Sequence, residues 1–176
     1  KMLNDLYQEG KHELSTAELS KEIGLRCCNE TSILYWAAKN DIPVFVPGIT
    51  DGAVGYQLWF FSQDHKDFRI NLLKDEGELS NMIFDSQKSG ALIIGGGISK
   101  HHTIWWNQFR DGLDYVVYIS TANEWDGSLS GARPREAVSW GKISEKAKRV
   151  MVEADATMVM PIITTALIDR LNKNKS

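Results

Sequence analysis

The chain has 176 residues, 43% of them hydrophobic and 24% charged, with a formal net charge of -3 and a pI near 5.8. That length suits one globular domain with a real core and is short for two of ordinary size; the acidic balance argues against a nucleic-acid surface, which needs a basic excess on some face. The longest apolar stretch, Ala156 to Ile168, contains Pro161 and three threonines and falls short of the roughly 20 residues of a membrane span, so no membrane partner is expected.

Lys1 to Gly10 is polar and charged and lacks the apolar core of a signal peptide. Ser15-Thr-Ala-Glu18 has the capping-box form and predicts a helix to about Ile23. Cys27 and Cys28 are the only cysteines. As neighbours they are too constrained for an ordinary disulfide, so a reducing, cytoplasmic compartment is expected. Thr31 or Ser32 can cap a helix through Lys39, with Asn40 suited to its end. Pro43 to Val46 reads as a buried strand, followed by the turn Thr50-Asp51-Gly52 and a helix from Ala53 to Phe61. Leu79, Met82 and Ile83 give the i, i+3, i+4 stripe of a helix ending near Gly90.

A strand from Ala91 to Ile94 then meets Gly95-Gly96-Gly97, where the backbone can turn sharply before Ser99 opens a helix. Further strands are predicted over Tyr115 to Ser120 and Arg149 to Glu153, and a last helix from Ala156 to about Leu171. Strands separated by helices imply an α/β fold whose mainly parallel sheet carries helices on both faces. In such folds ligands bind beyond the carboxyl ends of the strands. Asp51, Gly95 to His101, Thr121 to Asp126 and Asp155 all fall at such ends.

The run Glu136-Ala-Val-Ser-Trp140-Gly-Lys142 places an acid, an indole and an amine in one short stretch. Burial against apolar surface disfavours an ammonium and leaves an amine able to form an imine, so Lys142 is a candidate nucleophile; without its context it reads as a snorkelling surface lysine. Trp140 could cover a methylene chain and attract an ammonium while Glu136 neutralises an amine, or the two could be a core indole and a first-turn helix glutamate after Pro134. Gly95-Gly96-Gly97 lacks the full G-x-G-x-x-G spacing and is either a tight turn or a dinucleotide contact. Asp51 is a turn residue or an acceptor for a ribose hydroxyl, and Asp155 a helix cap or such an acceptor. His101 and His102 lack a metal-binding spacing, and no metal is expected; an imidazole here suits a general base. Arg133 and Arg135 stay in solvent or hold a neighbouring carboxylate.

Four segments taken together, Pro43 to Gly52, Ile93 to His102, Thr121 to Pro134 and Glu136 to Lys142, resemble deoxyhypusine synthase. The resemblance runs from about Thr31 to about Ile168 and is most specific between Asp126 and Lys142. It implies a Rossmann-like fold, NAD as cofactor, and transfer of the aminobutyl group of spermidine to one lysine of translation initiation factor 5A precursor. It further implies Lys142 as nucleophile, His101 as base, and Asp51, Gly96, Thr121, Ala122, Asp155 and Ala156 against NAD. The polyamine pocket would comprise Tyr56, Gly127, Ser128, Leu129, Glu136 and Trp140.

Tyr56 and Leu129 stand where better-known eukaryotic members carry acids, which looks like the archaeal branch of the family. The chain corresponds to the C-terminal half of such an enzyme, so a complementary N-terminal chain and an oligomer of four catalytic units are expected. Two other readings fit the same residues: homospermidine synthesis on the same scaffold, or a non-catalytic subunit of a partner chain.

Overall fold

A computed structural model describes residues 1–174, and it divides into two compact units, Lys1–Met82 and the residues from Ile83 onward. In the first unit the elements are α1 (Met2–Gln8), β1 (Glu13–Leu14), α2 (Thr16–Cys27), α3 (Ile33–Lys39), α4 (Ala53–Asp64) and β2 (Arg69–Ile70). The helix α5 (Leu72–Asp85) carries the boundary between the units. β1 and β2 pair in parallel, Leu14 opposite Ile70, and the core comprises Leu6, Leu14, Leu19, Ile49, Leu58 and Phe68.

The start of α2 shows why this unit folds as it does. Ser15 caps the helix: its hydroxyl accepts the Glu18 N–H at 3.2 Å while the Glu18 carboxylate accepts the Ser15 N–H at 2.9 Å. The next two amides, of Thr16 and Ala17, go to the two oxygens of Asp75 on α5 at 2.9 and 3.0 Å. A buried carboxylate thus satisfies orphan donors at a helix end where the dipole favours negative charge. Further along, a side chain at Gly24 would lie 2.1 Å from the Leu34 carbonyl oxygen, so only glycine lets α2 and α3 approach so closely. α2 ends at Cys27, four residues beyond the expected Ile23, and its C-cap Cys28 is left-handed with a φ of 44°. Both cysteines are free thiols.

Two expectations fail in this unit. Pro43 to Val46 belongs to no ladder among the described residues, and the Val46 N–H goes instead to the Thr16 hydroxyl at 2.8 Å. An apolar run satisfies half the requirement of a strand, and a backbone partner is the other half. Asp51 therefore follows a turn and not a strand end. α1 was also not foreseen, although its Leu6 is fully buried.

The second unit holds β3 (Gly90–Ile94), α6 (Ile98–Asn107), β4 (Leu113–Ser120), α7 (Pro134–Ser139), β5 (Ile143–Glu153) and α8 (Ala156–Lys173). The three strands form one parallel sheet in the order β3-β4-β5, with Ile93 opposite Tyr118 and Val117 opposite Val150. Together with the parallel pair of the first unit this is the expected α/β, Rossmann-like class. β5 starts at Ile143, six residues before the expected Arg149, because the edge position tolerates the polar stretch Ser144 to Lys148. α6 and α7 pack through Ile104 and Ala137 onto Ile93, Val116, Tyr118 and Ile143. α8 buries none of its side chains, and Met158, Ile162, Leu167 and Ile168 are all exposed. Among the described residues no helix is long and apolar enough to cross a membrane.

Asp75→Ala leaves two buried amides without acceptors, and each such loss costs about 1–3 kcal/mol. Urea unfolding of the variant is expected to show a stability loss of about 2–6 kcal/mol; an unchanged midpoint would mean that water replaces the carboxylate.

Candidate active site

Parallel pairing sends the carboxyl ends of β3, β4 and β5 to the same sheet edge, so the segments that follow them converge: Gly95–Gly97, Thr121–Ala122 and Asp155–Ala156. The Gly95 N–H still donates to Ile119 across the ladder at 2.8 Å, and Gly95 and Gly97 take φ of 76° and 79°. A side chain at Gly96 would sit 2.4 Å from both Cα and Oγ of Ser130, so this glycine admits the loop that follows β4. Gly97, the N-cap of α6, has no side chain with which to cap the amides of that first turn.

Asp155 caps α8, its Oδ1 accepting the Thr157 N–H at 2.8 Å and the Thr157 hydroxyl at 2.5 Å. These hydrogen bonds hold its carboxyl below the usual aspartate range. The ionised group keeps a second oxygen as acceptor, so capping and ligand binding are compatible. Uncapped helix amides, close-approach glycine backbone and a carboxylate at one sheet edge fit a dinucleotide's phosphates and ribose.

Lys142 is fixed through its backbone. α7 ends at Trp140, Gly141 turns with φ 68°, and the Lys142 N–H donates to the Ala137 carbonyl at 2.9 Å while its own carbonyl accepts the Leu113 N–H at 3.1 Å. The next residue, Ile143, is 1% exposed and opens β5. The lysine is therefore held between α7, β4 and β5, and its side chain is half-buried. It lines a cavity of about 120 Å³ with Trp140, Glu136, Leu129, Lys100 and Tyr118.

Four residues expected in the site thus share one cavity. Trp140 is 74% exposed and gives it an open wall. Glu136 uses one carboxylate oxygen to accept the Arg133 N–H at 3.2 Å. Arg133 pairs with Glu124 and Glu153, and Arg135 with Glu124, so both arginines hold carboxylates. Gly127 and Ser128 lie in the loop before Leu129, shaped by Asp126 accepting the Ser128 N–H at 2.8 Å.

His101 does not share this cavity. It is exposed on α6, and His102 is half-buried on the same helix. Asp51 and Tyr56 belong to the first unit, where Tyr56 stacks with Trp59 and Phe60 on α4.

Sequence reasoning missed Lys100 and Tyr118. Lys100 is 3% exposed, and its ammonium donates to the carbonyls of Leu129 and Ala132 at 2.9 and 2.8 Å and lies 4.2 Å from the Tyr118 ring centroid. Tyr118 is 1% exposed; burial, helped by Glu136, pushes its phenol up to about 12, and its hydroxyl has no hydrogen-bond partner among the described residues. A neutral phenol can both donate and accept, and here neither capacity is used. The signal that could have found Lys100 is its spacing: with Ile104 and Asn107 it forms the i, i+4, i+7 buried stripe of α6.

The family model described as deoxyhypusine synthase matches residues 1–167. The chain is 65% identical over 153 residues to the "Probable deoxyhypusine synthase" of Thermoplasma volcanium, covering 87% of this chain and 49% of that protein. To the protein of the same description in Thermoplasma acidophilum it is 61% identical over 161 residues, covering 92% and 52% of the two chains. A solved structure of a "putative deoxyhypusine synthase" from Entamoeba histolytica superposes with a TM-score of 0.70 at 27% identity, covering 93% of this chain and 51% of that one. The chain thus spans about half the length of the curated relatives it matches. With the family model running through both units and the archaeal sequences alike over most of the chain, this chain belongs to the deoxyhypusine synthase family.

Proposed function

We propose that the protein to which this chain contributes transfers the aminobutyl group of spermidine to a lysine of translation initiation factor 5A precursor, with NAD as cofactor and Lys142 as the covalent nucleophile. The observation that carries this reading is the cavity that Lys142 shares with Trp140 and Glu136. An indole beside a carboxylate suits a chain of methylenes ending in an ammonium. Family membership supports the same chemistry.

NAD, when bound, would take a hydride from the substrate and return it to the product, so the transfer is redox-neutral. The chain's own residues have four tasks. Gly96, Thr121, Ala122, Asp155 and Ala156, at the shared sheet edge, would hold the cofactor, joined by Asp51. Trp140 would exclude water from the methylenes as Glu136 holds an ammonium, with Gly127, Ser128, Leu129 and Tyr56 completing the polyamine's surroundings. His101 would take the proton lost as the substrate's carbon–nitrogen bond is oxidised. The Lys142 amine would then add to that carbon, expel diaminopropane and carry the butyl fragment as an imine until the acceptor lysine displaces it.

Two lysines, Lys100 and Lys142, face the single carboxylate of Glu136 on the cavity wall, while Arg133 is neutralised by its glutamates. A polyamine needs more anionic partners than that. We therefore infer that a complementary N-terminal chain completes the site in an oligomer, cover that the exposed apolar residues of α8 also require. A reducing, cytoplasmic setting fits the free thiols of Cys27 and Cys28.

The rival suggested by Tyr56 and Leu129 in place of carboxylates is homospermidine synthesis, in which putrescine accepts the fragment. Offering putrescine and the factor 5A precursor together to the assembled protein decides between them: label on the precursor supports the proposed function, and label only on putrescine overturns it.

Lys142→Arg is expected to lower transfer by at least about a thousandfold with NAD binding kept, since a guanidinium holds its proton and cannot form the imine. Product formed at a tenth of the original rate or more would refute the covalent route. Trp140→Ala is expected to raise the spermidine KM about tenfold, roughly 1.4 kcal/mol, through lost apolar cover and cation attraction. Titration of NAD into the same variant should be unchanged; equal losses for both ligands would make the indole a packing residue.

A further inference from the structure

Lys100 is the most buried amine near the cavity, and the chemistry proposed above gives it no part. Its environment is specific. An ammonium has three N–H donors and no acceptor, and here two backbone carbonyls and one ring face receive them. A neutral amine would turn its lone pair toward a carbonyl oxygen or toward the electron-rich ring, so the geometry selects the charged form. Burial pulls the pKa of this group down, and the nearby Glu136 carboxylate raises it.

The two carbonyls bracket a short segment. Leu129 and Ala132 are its ends, Ser130 between them rests against Gly96, and Leu129 is on the cavity wall. The local bonds of this stretch, from Gly131 N–H to the Ser128 hydroxyl and from Ala132 N–H to the Ser128 carbonyl, shape the turn but do not reach α6 or β4. The Lys100 ammonium does reach from α6 to the segment, over the Tyr118 ring of β4.

We propose that Lys100 is a positioning residue, which ties the Leu129–Ala132 segment to α6 and β4 and so sets the cavity wall along which a polyamine lies against Lys142. This rests on the polyamine-transfer reading for its consequence in activity, and on geometry alone for the tie itself. Lys100 would repel a substrate ammonium placed beside it, so its contribution acts through the segment it holds and not through contact with charge on the substrate.

The test compares Lys100→Met with Lys100→Arg in the assembled protein, reading backbone hydrogen exchange and steady-state kinetics. Methionine fills the same channel but lacks the donors. Exchange across residues 128–132 is expected to quicken about tenfold or more, and the spermidine KM to rise about tenfold, because two charge-assisted hydrogen bonds are lost. Amides of β3, β4 and β5 should keep their protection. Lys100→Arg retains charge and several donors, and is expected to hold segment protection and KM within about threefold of the original.

Unchanged exchange and KM in the methionine variant overturn the proposal, as does a uniform loss of protection through all three strands. If the methionine variant does not fold, the arginine variant decides: preserved segment protection supports the tie, and a loosened segment in an otherwise protected sheet overturns it. Failure of the unsubstituted protein to cleave spermidine would strike at the proposed function instead, and hydrogen exchange would still decide whether Lys100 holds the segment.

Discussion

Parallel pairing of β3, β4 and β5 is the constraint from which the arrangement at the sheet edge follows. Parallel strands cannot be joined by a hairpin, so each must be followed by a crossover that carries the chain back along the sheet. Both crossovers here start at the same edge, where α8 also begins, and the first residues after the strands are those proposed above for the site: three glycines after β3, Thr121 and the loop to Ala132 after β4, Asp155 after β5. Lys142 sits at the other end of a crossover, before β5, yet its side chain lines the same cavity as Leu129. Its two backbone hydrogen bonds, one to α7 and one to β4, fix where that side chain begins.

The cavity works by charge as well as by shape. Lys100 is buried but engaged on three sides, whereas Lys142, the proposed nucleophile, is half-buried. The loop between them is crowded by design of its sequence: Gly96 yields to Ser130, and Gly131 accommodates the Asn123 carbonyl, which a side chain there would meet at 2.0 Å. In the proposed chemistry one lysine holds the wall and another reacts within it, and burial with hydrogen bonding is what separates these two roles of one residue type.

Much of this is legible in the sequence. The Ser15 capping box is present with both of its bonds, and the apolar runs at Ala91 and Tyr115 are paired strands. Glu136, Trp140 and Lys142 were grouped because they are close in sequence on a short helix and its exit, and they do share a cavity with Leu129. Pro43 to Val46 misled because apolar character shows burial but not a ladder partner, and here Thr16 takes the amide that a neighbouring strand would have taken. Lys100 and Tyr118 were hidden for a related reason. A lysine on a buried stripe looks like any surface lysine until its carbonyl partners, 29 and 32 residues away, are known. His101 drew attention by its type, while the residue beside it faces the cavity.

The central claim is that the butyl fragment travels on Lys142. Borohydride added to the assembled protein during turnover with NAD and labelled spermidine freezes any enzyme imine as a stable secondary amine, and peptide mass mapping then locates it. The account predicts a single aminobutyl adduct, on Lys142. An adduct on another lysine, Lys100 included, or none in a protein that is turning over, would contradict it.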